Sequence, residues 1–112
     1  MAQTFYKGDE VKFAIELTAT GFSMNDNNFD IEVSSPAGSV KASKNAPSSD
    51  NSLVIFKETE GGTDTWYGIV NTSNLGTGSL RVIATAHVPD ANAPEGIRHQ
   101  SDIQKLGELL KK

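Results

Sequence analysis

The chain has no cysteine among its 112 residues. Disulfides and thiolate chemistry are excluded, so packing alone must hold the core. A secreted domain of this size often carries disulfides, and their absence points to a reducing site of synthesis. Basic charge is scarce too: Lys and Arg total 10 against 14 Asp and Glu, a formal net charge of -4. The only basic cluster is the terminal Lys111–Lys112 pair. Nucleic acid is not an expected partner of such a surface. No apolar run approaches the ~20 residues of a membrane span, and Met1–Asp9 lacks the apolar region of a signal peptide. The expectation is synthesis in a cytoplasm, no membrane, and residence there until something else carries the protein out.

The ingredients of catalysis are missing as well. The carboxylates Asp9, Glu10, Glu16, Asp30, Glu32, Glu58, Glu60, Asp64, Asp90 and Glu95 are scattered, and none sits in an apolar setting that would tune it for acid–base work. No Gly-x-Ser-x-Gly elbow occurs. Gly76-Thr77-Gly78 lacks the following helix and Lys-Ser/Thr pair of a phosphate cradle. Neither an enzyme nor a cofactor is expected.

What the chain does have is alternation. Val11, Phe13, Ile15 and Leu17 step by two, as do Phe29, Ile31 and Val33, and Leu80, Val82, Ala84, Ala86 and Val88. That period places each set on one face of a strand. Strands are expected over Glu10–Thr18, Phe29–Ser35, Ser39–Ser43, Leu53–Glu58, Thr65–Asn71, Ser79–Val88 and Ile97–Leu106. Tyr6–Asp9, Pro36–Gly38, Glu60–Asp64, Thr72–Gly78 and Pro89–Gly96 read as turns or loops, with Leu75 plugging the end of the core. The run Leu53-Val54-Ile55-Phe56 suggests burial on both faces, or a partner over one of them. Small residues at Ala84 and Ala86 would leave room for Trp66 or Phe13. The tail also carries Ile103, Leu106, Leu109 and Leu110 at helical spacing behind a capping box at Ser101. Gly107 weakens that helix, and a closing strand is the preferred reading, with residues 107–112 open to fraying. Seven strands with regular turn signals predict one domain over residues 1–112, an all-β, antiparallel immunoglobulin-like β-sandwich.

Several residues invite a functional reading. His87 and His99 become cross-strand neighbours if the last two strands pair, which would suit a metal or a pH response. Two histidines fall short of the three or four ligands of an ordinary metal site, so no metal is expected. Asp26-Asn27-Asn28-Phe29-Asp30 opens like a calcium loop, but Ile31 and Ala37 stand where glycine and glutamate are needed. Asn71-Thr72-Ser73 is a formal glycosylation sequon that also suits a strand end. Trp66 and Tyr67 suggest sugar stacking, although one of the two must point inward. Lys41 and Lys44 suit an edge strand that resists stray pairing. The residues singled out for interaction are Lys41, Lys44, Tyr67, His87 and His99, along with the loops Thr20–Asn28 and Asn45–Ser52, the edge Ser39–Ser43 and the leucine-bearing tail.

The stretch Trp66-Tyr67-Gly68-Ile69-Val70-Asn71-Thr72-Ser73-Asn74-Leu75-Gly76-Thr77-Gly78, continuing through Leu80-Arg81-Val82 to His87-Val88-Pro89-Asp90, resembles small immunoglobulin-like proteins of phages and prophages of Bacteroides-type gut bacteria. Phe5–Asp9 and Pro94–Arg98 fit the same pattern. The resemblance implies a virion component: a capsid decoration or auxiliary protein, or a domain of a fibre, without catalytic residues. Its partner would be a capsid or other virion protein, or further copies of itself. The competing expectation is a bacterial surface adhesin module that binds glycan or host protein through Tyr67 and nearby loops.

Overall fold

The computed structural model describes residues 3–44, 46, 48 and 51–111. Among them run eight strands: β1 (Gln3–Tyr6), β2 (Glu10–Ala14), β3 (Asn28–Ser35), β4 (Gly38–Ser43), β5 (Leu53–Glu60), β6 (Thr63–Asn71), β7 (Gly78–Pro89) and β8 (Ile97–Leu110). They form a five-stranded sheet in the order β1-β8-β7-β3-β4 and a three-stranded sheet in the order β2-β6-β5. All pairs are antiparallel except β1 on β8. This is the immunoglobulin-like arrangement, with β2-β6-β5 as strands B, E and D, and β8-β7-β3-β4 as G, F, C and C′.

The alternating residues do meet between the sheets. Phe13, Val70 and Leu53 of the small sheet share one cluster with Phe29, Ile31, Val33, Leu80, Val82 and Leu109 of the large one. Side chains as fully buried as Phe29 and Leu80 each contribute about 1.5–3 kcal/mol. Leu75 closes the end of this core behind a single 3-10 turn, Thr72–Asn74. Thr72 is fully buried there; its hydroxyl donates to the Asp9 carbonyl (2.8 Å) and accepts from Gly8 N–H (2.9 Å). One side chain thereby ties the β1–β2 turn to the end of β6.

Several expectations need correction. An eighth strand exists because Gln3–Tyr6, too short and too exposed to show alternation, lies parallel against β8. Gly107 permits this: a Cβ there would lie 2.0 Å from the Gln3 carbonyl oxygen. The tail is a strand through Leu110, not frayed from 107 onward; Lys112 lies outside the described residues. Its helical spacing comes from a β-bulge. Leu80 faces Gly107 but Arg81 faces Lys105, which leaves Leu106 as the extra residue. Inward positions shift across the bulge, so Ile103 is 68% exposed while Leu109 is buried.

Strand β2 stops at Ala14 rather than Thr18. Ile15 still donates to Trp66 O, but Thr18 N–H is taken by Asp102 of β8, and Arg98 donates to Thr20 O. The chain passes from one sheet to the other while Ile15 and Ala19 stay buried. Phe13 gains its room from Gly68, its direct cross-strand partner, whose missing Cβ would sit 2.4 Å from the ring. Trp66 instead packs edge-to-face on Phe29 at 5.6 Å. The Glu60–Asp64 loop shrinks to the two residues Gly61-Gly62, both at positive φ, the turn favoured by hairpin twist. The mobile loop expected over 45–52 lies partly outside the described residues; Ser48, within it, is buried and its hydroxyl accepts from Leu53 N–H.

Candidate functional site

The five residues singled out for interaction fall in three places. Tyr67 lies on the solvent side of the three-stranded sheet. Alternation along β6 turns Trp66 inward and Tyr67 outward, and Tyr67 stacks on Phe56 of β5 at 6.0 Å, with ring planes 28° apart. The next cross-strand pair is Val54 opposite Ile69. Together the four make an apolar block on the outside of the sheet, where Val54 is 41% exposed and the others are half-buried. Leu53–Phe56 is therefore not buried on both faces: Leu53 points into the core and Val54 into water. Lys12 of β2 reaches across the block. Its ammonium stands 4.5 Å from the Tyr67 ring and 5.5 Å from the Phe56 ring, and pairs with Glu58 at 2.6 Å. Lys12 is also the direct cross-strand partner of Ile69, and a cation over ring faces adds attraction.

Lys41, His87 and His99 meet on the outside of the other sheet. They line an open groove of about 590 Å³ with Asp30, Glu32, Ser43, Ile83 and Thr85. His87 and His99 are directly opposite across β7 and β8, as the sequence suggested, and their rings meet edge-to-face at 4.7 Å. His87 Nε2–H donates to Asp30 Oδ2 at 2.8 Å, and Thr85 and Ser101 share a hydrogen bond on the next rung. Among the described residues, no group of three or more His, Asp or Glu has the geometry of a metal cage.

Lys44 belongs to neither surface, contrary to its reading as an edge residue. Its ammonium donates to the carbonyls of Asn25 (2.8 Å) and Asn27 (2.9 Å) and stands 5.2 Å from the Trp66 ring. Trp66 Nε1–H in turn donates to Asn25 Oδ1 at 2.9 Å. A lysine thus sits on one backbone carbonyl of the stretch that resembled the start of a calcium loop, that of Asn27, and on the Asn25 carbonyl just before it. The loop Thr20–Asn28 is likewise anchored: Phe22 and Met24 pack against the core.

Asp64 joins this anchor, accepting from Thr59 Oγ1 at 2.6 Å and Asn25 Nδ2 at 3.1 Å. The Thr59 hydroxyl, then Asn25 and nearby Lys57, hold its carboxyl below the ordinary carboxylate value, against the opposing effect of desolvation. Asp90 is lowered in the same direction by Asn92 N–H and the Arg98 guanidinium, which fixes the β7–β8 loop.

Sequence reasoning missed the apolar block as a unit. The signal was the coincidence of two outward pairs, Val54–Ile69 and Phe56–Tyr67, which needs the β5–β6 register to be seen. No helix among the described residues is long and apolar enough to cross a membrane. No protein-family model matches the chain, and no curated protein or solved structure matches it significantly.

Proposed function

We propose that this chain is a non-catalytic docking module that attaches to a protein lattice, as a decoration or auxiliary component of a virion. The observation that carries the reading is the apolar block Val54, Phe56, Tyr67 and Ile69 on the outer face of the three-stranded sheet. Two aromatic and two aliphatic side chains in register on solvent are costly to hydrate, and a partner that covers them recovers that cost. Aromatic anchors at the centre with charged residues at the rim are the composition of interface hot spots. Here Glu58 provides such a charge, paired with the Lys12 ammonium that stands over the two rings. The resemblance of the Trp66–Asp90 stretch to phage and prophage immunoglobulin-like proteins supports a virion lattice as the partner, and the mildly acidic, cysteine-free composition suits assembly in a bacterial cytoplasm.

The test is sedimentation of the purified chain with virions and capsids prepared from phages of Bacteroides-type bacteria. Recovery of the chain with the particles, abolished by Phe56→Lys, is the expected result. A chain that stays in the supernatant overturns the proposal. Binding to a glycan array that is lost on Tyr67→Ala would replace it with the adhesin reading.

A further inference from the structure

The Asp30–His87–His99 row offers a chemistry that docking does not use. His87 and His99 are a directly opposed antiparallel pair, whose Cβ atoms in general lie about 4.5–5.5 Å apart. Two imidazoles on such a base can converge on one ion, because a zinc–nitrogen bond measures about 2.0–2.1 Å. The observed rings are already 4.7 Å apart between centroids.

Asp30 sets the tautomer. A carboxylate only accepts, so the 2.8 Å hydrogen bond puts the His87 proton on Nε2 and leaves the lone pair of the neutral ring on Nδ1. A carboxylate holding the far nitrogen of a histidine is the outer-shell arrangement that orients metal-ligating imidazoles. The groove in front of the pair is open to water, which can fill the remaining coordination positions. Its charged lining is Asp30 and Glu32 of β3 and Lys41 of β4.

We propose that His87 and His99 form an open two-imidazole site for a borderline divalent ion of the zinc, nickel or copper class, with Asp30 as the orienting carboxylate. Imidazole ligands favour these ions over calcium or magnesium. The site lies on the opposite sheet from the apolar block, and its existence does not depend on the docking reading.

The test is an amide NMR titration of the untagged full chain with zinc chloride, and with magnesium chloride as the control. Zinc should give saturable shifts centred on His87, His99, Thr85 and Ser101, and magnesium none. His99→Ala, at an exposed position, should keep the remaining spectrum and abolish saturation. Asp30→Asn should weaken zinc binding about 10–100-fold. Shifts that grow without saturating, that scatter over the surface, or that persist in His99→Ala overturn the site. Unchanged affinity in Asp30→Asn overturns the role given to the carboxylate.

Discussion

Gly68→Ala tests the packing of the sandwich at its tightest point. The added methyl would lie 2.4 Å from Cζ and 2.8 Å from Cε2 of Phe13, closer than non-bonded carbons approach. Phe13 is 5% exposed and enclosed by the core cluster, so its ring has little space to retreat into. Overpacking of this kind costs about 1–3 kcal/mol, and the depth of the overlap argues for the upper half of that range. For a chain of this length the melting temperature should fall by roughly 6–15 °C. Urea unfolding followed by Trp66 fluorescence reads the same quantity. Phe13→Leu shortens the offending side chain, and in the double variant the alanine methyl should occupy part of the vacated volume. The two changes should then be non-additive, the pair being more stable than their sum by about 1 kcal/mol or more. A Gly68→Ala protein within 0.5 kcal/mol of the parent (the usual range of a surface substitution), or strictly additive variants, would refute the claim that Gly68 exists to admit the Phe13 ring.

Other expectations follow from the polar anchors. Thr72→Val keeps the shape but strands Gly8 N–H, while the Asp9 carbonyl loses the hydroxyl and keeps the Thr72 N–H; it should cost about 1–3 kcal/mol in chemical denaturation, and a neutral result would contradict the role given to that hydroxyl. Lys44→Met removes the ammonium from the carbonyls of Asn25 and Asn27; a loss of about 1–2 kcal/mol with a shifted Trp66 emission is expected, and an unchanged spectrum would separate Lys44 from the tryptophan. Asp64 is held below its ordinary value, so its stabilising contribution is complete above the unfolded value and disappears as pH falls through the folded one. Thr59→Val should therefore raise the Asp64 midpoint in a carboxyl NMR titration, and an unmoved midpoint would remove the threonine as the leading cause.

Much of this fold was legible in the sequence because one-sided burial writes itself as a period of two. β3 and β7 alternate without interruption, and their inward residues are those the pattern selects. Where burial is not one-sided, the text blurs. β1 has a single half-buried residue, Phe5, and nothing to alternate with. The bulge at Leu106 spliced two alternating registers into a spacing of three, which mimics a helix. Strand β2 ends early because Ile15 and Ala19 remain buried, with Leu17 partly so, while the backbone changes sheets.

The candidate surfaces were legible only in part. The His87–His99 pairing followed from the antiparallel connection alone. Lys44 could not be told from Lys41 by type or position, and only the fold over of residues 25–27 separates them. The aromatic block required the register of β5 on β6, which the Gly61-Gly62 turn fixes.

Hydrogen exchange of the chain bound to virus particles tests the docking account most directly. The account predicts slowed exchange at Val54–Phe56 and Tyr67–Ile69, with β4 and the His87–His99 groove unchanged. Protection confined to that groove or to the loops at the sandwich ends, with the three-stranded sheet as open as in the free protein, would contradict it.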